Sequence, residues 1–161
     1  MFLIELNLLF LIIVANGAPI ITRYFLKDYG DWPVDGGRCC LDGQRWLGDS
    51  KTWRGIIASC VVTVTFALAL ALPSHIGLLI AVGAMAGDVL SSFIKRRLKM
   101  ASSSMALGID QVPEALLPLL VVQPIFQLSG VDIVALTVAF IVLELVLSRI
   151  LFRMGIREQP Y

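Results

Sequence analysis

Five runs of apolar residues divide the chain. The first covers residues 2–22 and is interrupted by Asn16-Gly17-Ala18-Pro19. The second covers 56–72. The third begins near Ile76, fades into Gly87-Asp88 and ends at Lys95-Arg96-Arg97. The fourth covers 113–128 and carries Pro118 and Pro124. The fifth covers 133–152. A helix crossing a hydrocarbon core of about 30 Å needs about 20 mostly apolar residues. The pattern therefore predicts an all-α integral membrane protein with five transmembrane helices, the second and fourth of them short. Two connections are tiny, residues 73–75 and 129–132. Two are long, 23–55 and 95–112. Little chain remains outside these runs, so residues 1–161 are read as a single membrane-embedded domain. Met1 to Val14 has neither a basic leader nor a small-residue cleavage site, and reads as a retained span.

Composition agrees with this. Of the 161 residues, 58% are hydrophobic and 16% charged, against about 45–50% and about 25% in soluble domains. The formal net charge of +1 says little, because the charges are unevenly placed. Loops on the cytoplasmic side of a membrane collect Lys and Arg. Arg23, Lys27, Arg38, Arg45, Lys51 and Arg54 lie in the first long loop. Lys95, Arg96, Arg97 and Lys99 lie in the second, and Arg149, Arg153 and Arg157 at the C-terminal end. These are all 13 basic residues of the chain. Five spans put the three regions on one face, whereas four or six would scatter them. The predicted topology has the N-terminus outside, the C-terminus cytoplasmic and two longer cytoplasmic loops, in a cell (inner) membrane. The three cysteines, Cys39, Cys40 and Cys60, suit neither a disulfide framework nor a metal site, and His75 is the one histidine.

The distinctive polar residues gather on the basic face. The first loop contains Asp49-Ser50-Lys51-Thr52-Trp53-Arg54-Gly55. Lys51 and Arg54 suit phosphate oxygens, Arg as a bidentate fork. Lys51-Thr52 matches only the last two positions of a P-loop, whose glycines are missing. The other reading is a solvated basic loop lying on anionic headgroups. In the third span, helical spacing puts Asp88, Ser92, Lys95 and Lys99 on one side and Arg97 on the opposite side. A carboxylate at mid-span costs about 2.5–3.5 kcal/mol, so Asp88 is either functional or a structural partner, with Lys95 the candidate counter-ion. Asp110, four residues before Glu114, is either a helix N-cap or a second functional carboxylate. Asp88 and Asp110 on one membrane face suit Mg²⁺, which takes one or two carboxylates plus substrate phosphates. Gly83 and Gly87 form a helix-packing GxxxG. Glu144 reads as a buried carboxylate bonded to a neighbouring helix. Asn16 either satisfies backbone groups freed by Pro19 or reaches the site. With no histidine on this face, phosphoryl or nucleotidyl transfer, which relies on positioning and charge stabilisation, fits the inventory. The non-catalytic alternative is a small membrane scaffold or transporter subunit. A midplane scatter of polar residues would favour transport, and they collect on one face instead.

Taken together, Asn16-Gly17-Ala18-Pro19, Pro33-x-Asp35-x-Gly37, Asp42-Gly43, Leu47 through Gly55, Gly87-Asp88, Ser91 through Arg97 and Gly108-x-Asp110-Gln111 are specific. In them the chain resembles the CDP-archaeol synthases, small five-span CTP:lipid-phosphate cytidylyltransferases, and more distantly the CDP-diacylglycerol synthases. The resemblance covers nearly the whole chain. It implies CTP and a membrane lipid phosphate, archaeol phosphate-like or phosphatidic acid-like, as substrates. A CDP-lipid and pyrophosphate are the implied products, and Mg²⁺, one or two ions, the implied cofactor. Carried over, Asp88 and Asp110 are metal ligands and, with Lys51 and Lys95, catalytic candidates. Asp49, Ser50, Thr52, Arg54, Arg96, Arg97 and Asn16 are nucleotide or phosphate candidates. The bilayer is a partner, a homodimer is compatible, and nucleic acid is not expected. Two features depart from the archaeal pattern. Lys99 stands where the family often has Gly, and the run 101–114 is closer to bacterial members. Asp42-Gly43-x-Arg45 faintly resembles the start of a CDP-alcohol phosphotransferase motif, but that family's later Asp pair is missing.

Overall fold

A computed structural model describes residues 2–27, 29–102 and 104–157; Met1, Ser103 and Tyr161 lie outside the described residues. Five α-helices and no named strand are present among them: α1 (Phe2–Leu26), α2 (Trp53–Ala69), α3 (Ser74–Arg97), α4 (Gln111–Phe126) and α5 (Gly130–Arg153). Three of these, α1, α3 and α5, are long and apolar enough to cross a membrane, while α2 with 17 residues and α4 with 16 are shorter. The expected all-α membrane architecture is met.

The predicted break in the first run does not occur. Helix α1 continues through Asn16 and Pro19 to Leu26. A proline inside a helix has no N–H to give the carbonyl four residues earlier, which here is Ala15. That carbonyl accepts instead from the Ser59 hydroxyl of α2 at 2.8 Å, and Ser59 is fully buried. Asn16 bonds back to the Ile12 carbonyl at 3.0 Å and supports its own helix. At the next contact up, Gly55 of α2 lies against Pro19, where an added Cβ would sit 3.2 Å from the ring. The polar interruption in the sequence is thus the α1–α2 contact.

Helix α3 is central and packs on α1, α2 and α4, whereas α5 meets only α1 and α4 among the described residues. The burial pattern follows: 56% of the apolar window of α3 is buried, against 22% of that of α5. Leu8, Leu11, Ile76, Ile80, Leu119 and Phe140 form the core of the half remote from the first long loop. Lipid tails give little hydrophobic drive for helix association, so close backbone approach carries the packing. The predicted Gly83/Gly87 motif does this. A Cβ on Gly83 would come within 2.7 Å of the Pro118 Cα, and one on Gly87 within 2.2 Å of the Pro113 carbonyl oxygen.

The ends explain the boundaries. Ser129 and Asp132 form a reciprocal capping box at the start of α5. Helix α3 stops at Arg97, so Lys99 does not extend the Asp88–Lys95 face. Lys99 instead takes a left-handed conformation, φ +58°, which costs a side-chain-bearing residue energy that glycine avoids.

A charged cleft between the first loop and helix α3

The first long loop is at the surface but folded onto itself. Asp35 organises it. Its carboxylate accepts from the backbone N–H of Gly37, Leu47 and Gly48 at 3.0, 3.0 and 3.1 Å, and from Arg45 Nε and Nη2 at 3.1 and 2.6 Å. Burial would raise the Asp35 pKa, but Arg45 and the three amides hold it well below the usual carboxylate range. Gly48 adopts φ +94°, and a Cβ there would meet the Ser102 hydroxyl at 2.9 Å, so glycine lets the two loops touch.

Several of the residues expected to bind nucleotide also hold the loop together. Arg54 donates to the Lys27 and Tyr29 carbonyls and pairs with Asp31 at 2.8 Å. Arg97 reaches across to Asp42 at 2.7 Å and to the Gln44 and Arg45 carbonyls, with its guanidinium over the Phe93 ring. Arg96 donates to the Ala101 carbonyl at 2.6 Å. Asp49 is largely exposed and pairs with Arg45 at 2.9 Å. Thr52 caps α2, accepting from the Gly55 N–H at 3.2 Å. Asn16 is spent on its own helix and does not line the cleft described next.

The loop ends in a small cleft, about 40 Å³, lined by Ser50, Lys51, Thr52, Arg54, Asp31 and Asp88, among others. At its floor the Lys51 ammonium is ion-paired and hydrogen-bonded to the Asp88 carboxylate, tying the loop to α3. This is a correction: the counter-ion of Asp88 is Lys51, and Lys95 belongs to Asp110. Burial would lower the Lys51 pKa, but Asp88, Glu114 and Asp110 together raise it, so Lys51 stays charged. Glu114 is buried on α4, where its backbone packs on Gly87, the residue before Asp88. The sequence pointed at it only through its place four residues after Asp110. Its approach depends on Gly87, whose missing Cβ admits the Glu114 backbone N at 2.7 Å from the Cβ position.

Asp110 and Lys95 sit beside the cleft. Lys95 Nζ lies 2.6 Å from Asp110 Oδ1 and donates to the Ser104 carbonyl at 2.9 Å. Asp110 occupies the N-cap position of α4 without capping it; its Oδ2 accepts from the Ala106 N–H at 2.9 Å. The buried Oδ1 has an ion-pair neighbour but no aligned hydrogen bond. Asp88 and Asp110 are hard oxygen donors of the kind Mg²⁺ prefers. No group of three or more His, Cys, Asp or Glu among the described residues forms a ready cation cage. The donor set therefore fits a cation held by one or two carboxylates together with substrate phosphates. Glu144, in contrast to expectation, pairs with Arg157 just past the end of its own helix, at 3.7 Å.

A helical membrane bundle with a deep Lys–Asp pair at the mouth of a basic loop defines an intramembrane enzyme for an anionic substrate. A family model described as CarS-like, CDP-archaeol synthase, matches residues 1–74 and 63–161. The CDP-archaeol synthase of Thermococcus kodakarensis is 32% identical over 158 residues, covering 91% of this chain and 89% of the relative. That of Archaeoglobus fulgidus is 33% identical over 153 residues, covering 82% and 86%. A solved structure described as an intramembrane enzyme for archaeal membrane lipids biosynthesis matches with a TM-score of 0.72 at 32% identity, over 87% of this chain and 89% of that one. The chain belongs to the CDP-archaeol synthase family. It is thus an enzyme of the cytidylyltransferase class, acting in membrane-lipid synthesis, rather than a scaffold or a CDP-alcohol phosphotransferase.

Proposed function

We propose that the chain transfers CMP from CTP to a membrane lipid phosphate on the cytoplasmic face, releasing pyrophosphate and leaving a CDP-lipid in the bilayer. The observation that carries this reading is the Lys51–Asp88 pair, which brings a basic loop and its cleft onto a half-buried carboxylate of a membrane helix. In the reaction, an oxygen of the lipid phosphate bonds to the α-phosphorus of CTP. The bond from that phosphorus to the bridging oxygen of the β-phosphate breaks. A phosphate monoester has its second pKa at about 6 and is already largely ionised, so the absence of a histidine here is no obstacle.

The chain's contribution is positioning and charge. Lys51, kept protonated by its carboxylate neighbours, offers its ammonium to triphosphate oxygens. Thr52 and the N-terminus of α2 add a positive dipole end at the same wall. Arg54 and Arg97 act at one remove, by holding the loop at its two margins. Lys95 orients Asp110 and balances its charge. Asp88 and Asp110 are the residues that would hold Mg²⁺, which supplies charge neutralisation of the triphosphate when bound. Basic residues on a single face support a cytoplasmic site.

The test is purified protein with labelled CTP, Mg²⁺ and a panel of ether- and ester-linked lipid phosphates. Formation of labelled CDP-lipid with equimolar pyrophosphate is expected. Hydrolysis of CTP without lipid transfer, or transfer equally fast without divalent cation, would overturn the reading or its metal assignment respectively.

A further inference from the structure

The end of α5 holds a charged group outside the cleft. Gly155, at φ +71°, reverses the chain, and the Ile156 N–H returns to the Leu151 carbonyl at 2.9 Å. This reversal sends the Arg157 side chain back along the helix. Its guanidinium donates to the buried Ser148 hydroxyl and stands 3.7 Å from Glu144 Oε1. Carboxylate–guanidinium hydrogen bonds are normally about 2.7–2.9 Å, so the Glu144 contact balances charge without satisfying the fork. The other carboxylate oxygen, Oε2, is buried with no hydrogen-bond partner among the described residues.

The surroundings open toward lipid. The outer half of α5 is sealed by Ile133, Leu136, Thr137 and Phe140, but beyond Phe140 only Ser148 is buried. The inner half of the helix therefore borders the cytoplasmic leaflet, with Arg157 and Glu144 on its inward side. Helix α5 packs on α4, the helix that carries the buried Glu114 and whose backbone at Pro113 and Glu114 lies against Gly87, next to Asp88.

We infer that Arg157 receives the phosphate of the lipid substrate, with Glu144 as the resident anion that the phosphate displaces. This rests on the proposed cytidylyl transfer. A planar fork that meets its carboxylate only at 3.7 Å suits a phosphate better than the single distant oxygen it faces now. It lies where a headgroup arriving sideways from the inner leaflet would meet it, on the opposite flank of the carboxylates from Lys51. The two substrates then enter from different sides, CTP from the cytoplasm and the lipid between helices.

The test uses the full chain in nanodiscs, with diacylglycerol phosphate and a dialkylglycerol phosphate as separate arms. Arg157→Ala should raise the KM for either lipid phosphate about tenfold or more and leave the KM for CTP unchanged, with partial rescue by Arg157→Lys. Glu144→Gln should lower the lipid KM, because the competing charge is gone. Equal rises in both KM values, a loss confined to kcat, or a Glu144→Gln effect of the same sign as Arg157→Ala would mean the pair is structural and overturn the inference. Native mass spectrometry without CTP separates the two claims. Retention of lipid phosphate over neutral diacylglycerol, lost in Arg157→Ala, supports the phosphate site even if no CDP-lipid is ever formed. Turnover with an unchanged lipid KM keeps the reaction and removes the site, and a wild-type chain showing neither overturns both.

Discussion

Lys51 sits among three carboxylates, and that fixes what its loss should do. Removing one partner of a buried ion pair leaves the other uncompensated, at about 3–5 kcal/mol. With both side chains about one-fifth exposed, the low end of that range applies. Lys51→Met should lower the thermal midpoint in detergent, and adding Asp88→Asn should restore much of the stability but none of the activity. Recovery of activity in the double variant would show that the pair is only structural. Asp35 gives a second residue-level expectation, with its sign set by the depressed pKa. Its stabilisation is fully present above the ordinary carboxylate value of about 3.9 and is lost as pH falls below that toward the folded value. Tryptic protection at Arg38 and Arg45 should therefore be flat from pH 8 to 5 in the wild type, and absent across that range in Asp35→Asn. Residue types were legible in the sequence, but their pairings were not. Asp88 and Asp110 were visible as misplaced carboxylates, yet helix spacing alone favoured Lys95 for Asp88. The true partner, Lys51, comes from a loop 37 residues away, and no local periodicity reports that. Arg54, Arg96 and Arg97 read as phosphate ligands because a guanidinium that holds a loop carbonyl and one that holds a phosphate have the same sequence signature.

The helices themselves were easy to find and their ends were not, because apolar runs mark what lies in lipid while caps and packing decide where a helix stops. Helix α1 shows the difficulty. Asn-Gly-Ala-Pro signals a break in a soluble chain, but in lipid the alternative to a helix is unsatisfied backbone, and Ser59 supplies the one missing bond. The glycines of α3 give the element-scale test. Gly87→Ala should separate α4 from α3, with Glu114 moving off Asp88, and should cost both stability and at least about tenfold in activity, as overpacking at a rigid backbone contact costs about 1–3 kcal/mol. Gly17→Ala, where nothing lies within 4 Å of an added Cβ, should be neutral in both assays and is the control. If Gly87→Ala is also neutral, the close α3–α4 approach is not needed to form the site. Lys99→Gly should act in the other direction, gaining up to about 1 kcal/mol by relieving the left-handed backbone.

At the scale of the molecule, the outer end of the bundle is closed by an apolar core and the other end carries the ordered loop, both lysine–aspartate pairs and the α5 reversal. That polarity was legible in the distribution of basic residues before any helix was placed, since lysine and arginine are costly to translocate and remain where synthesis leaves them. It predicts orientation, and the chain's own cysteines can test it. Cys39 is exposed in the first loop, and Ser74, the first residue of α3, lies at the other end. With Cys40 and Cys60 replaced by serine, Cys39 in intact cells should resist a membrane-impermeant maleimide and react only after permeabilisation. In a cysteine-free background, Ser74→Cys should react before permeabilisation. The reverse pattern would put the cleft on the wrong side for cellular CTP. Reaction of both sites in intact cells would mean that the number of crossings between them is even, and the short helix α2, which lies between them, would then be the span that does not cross.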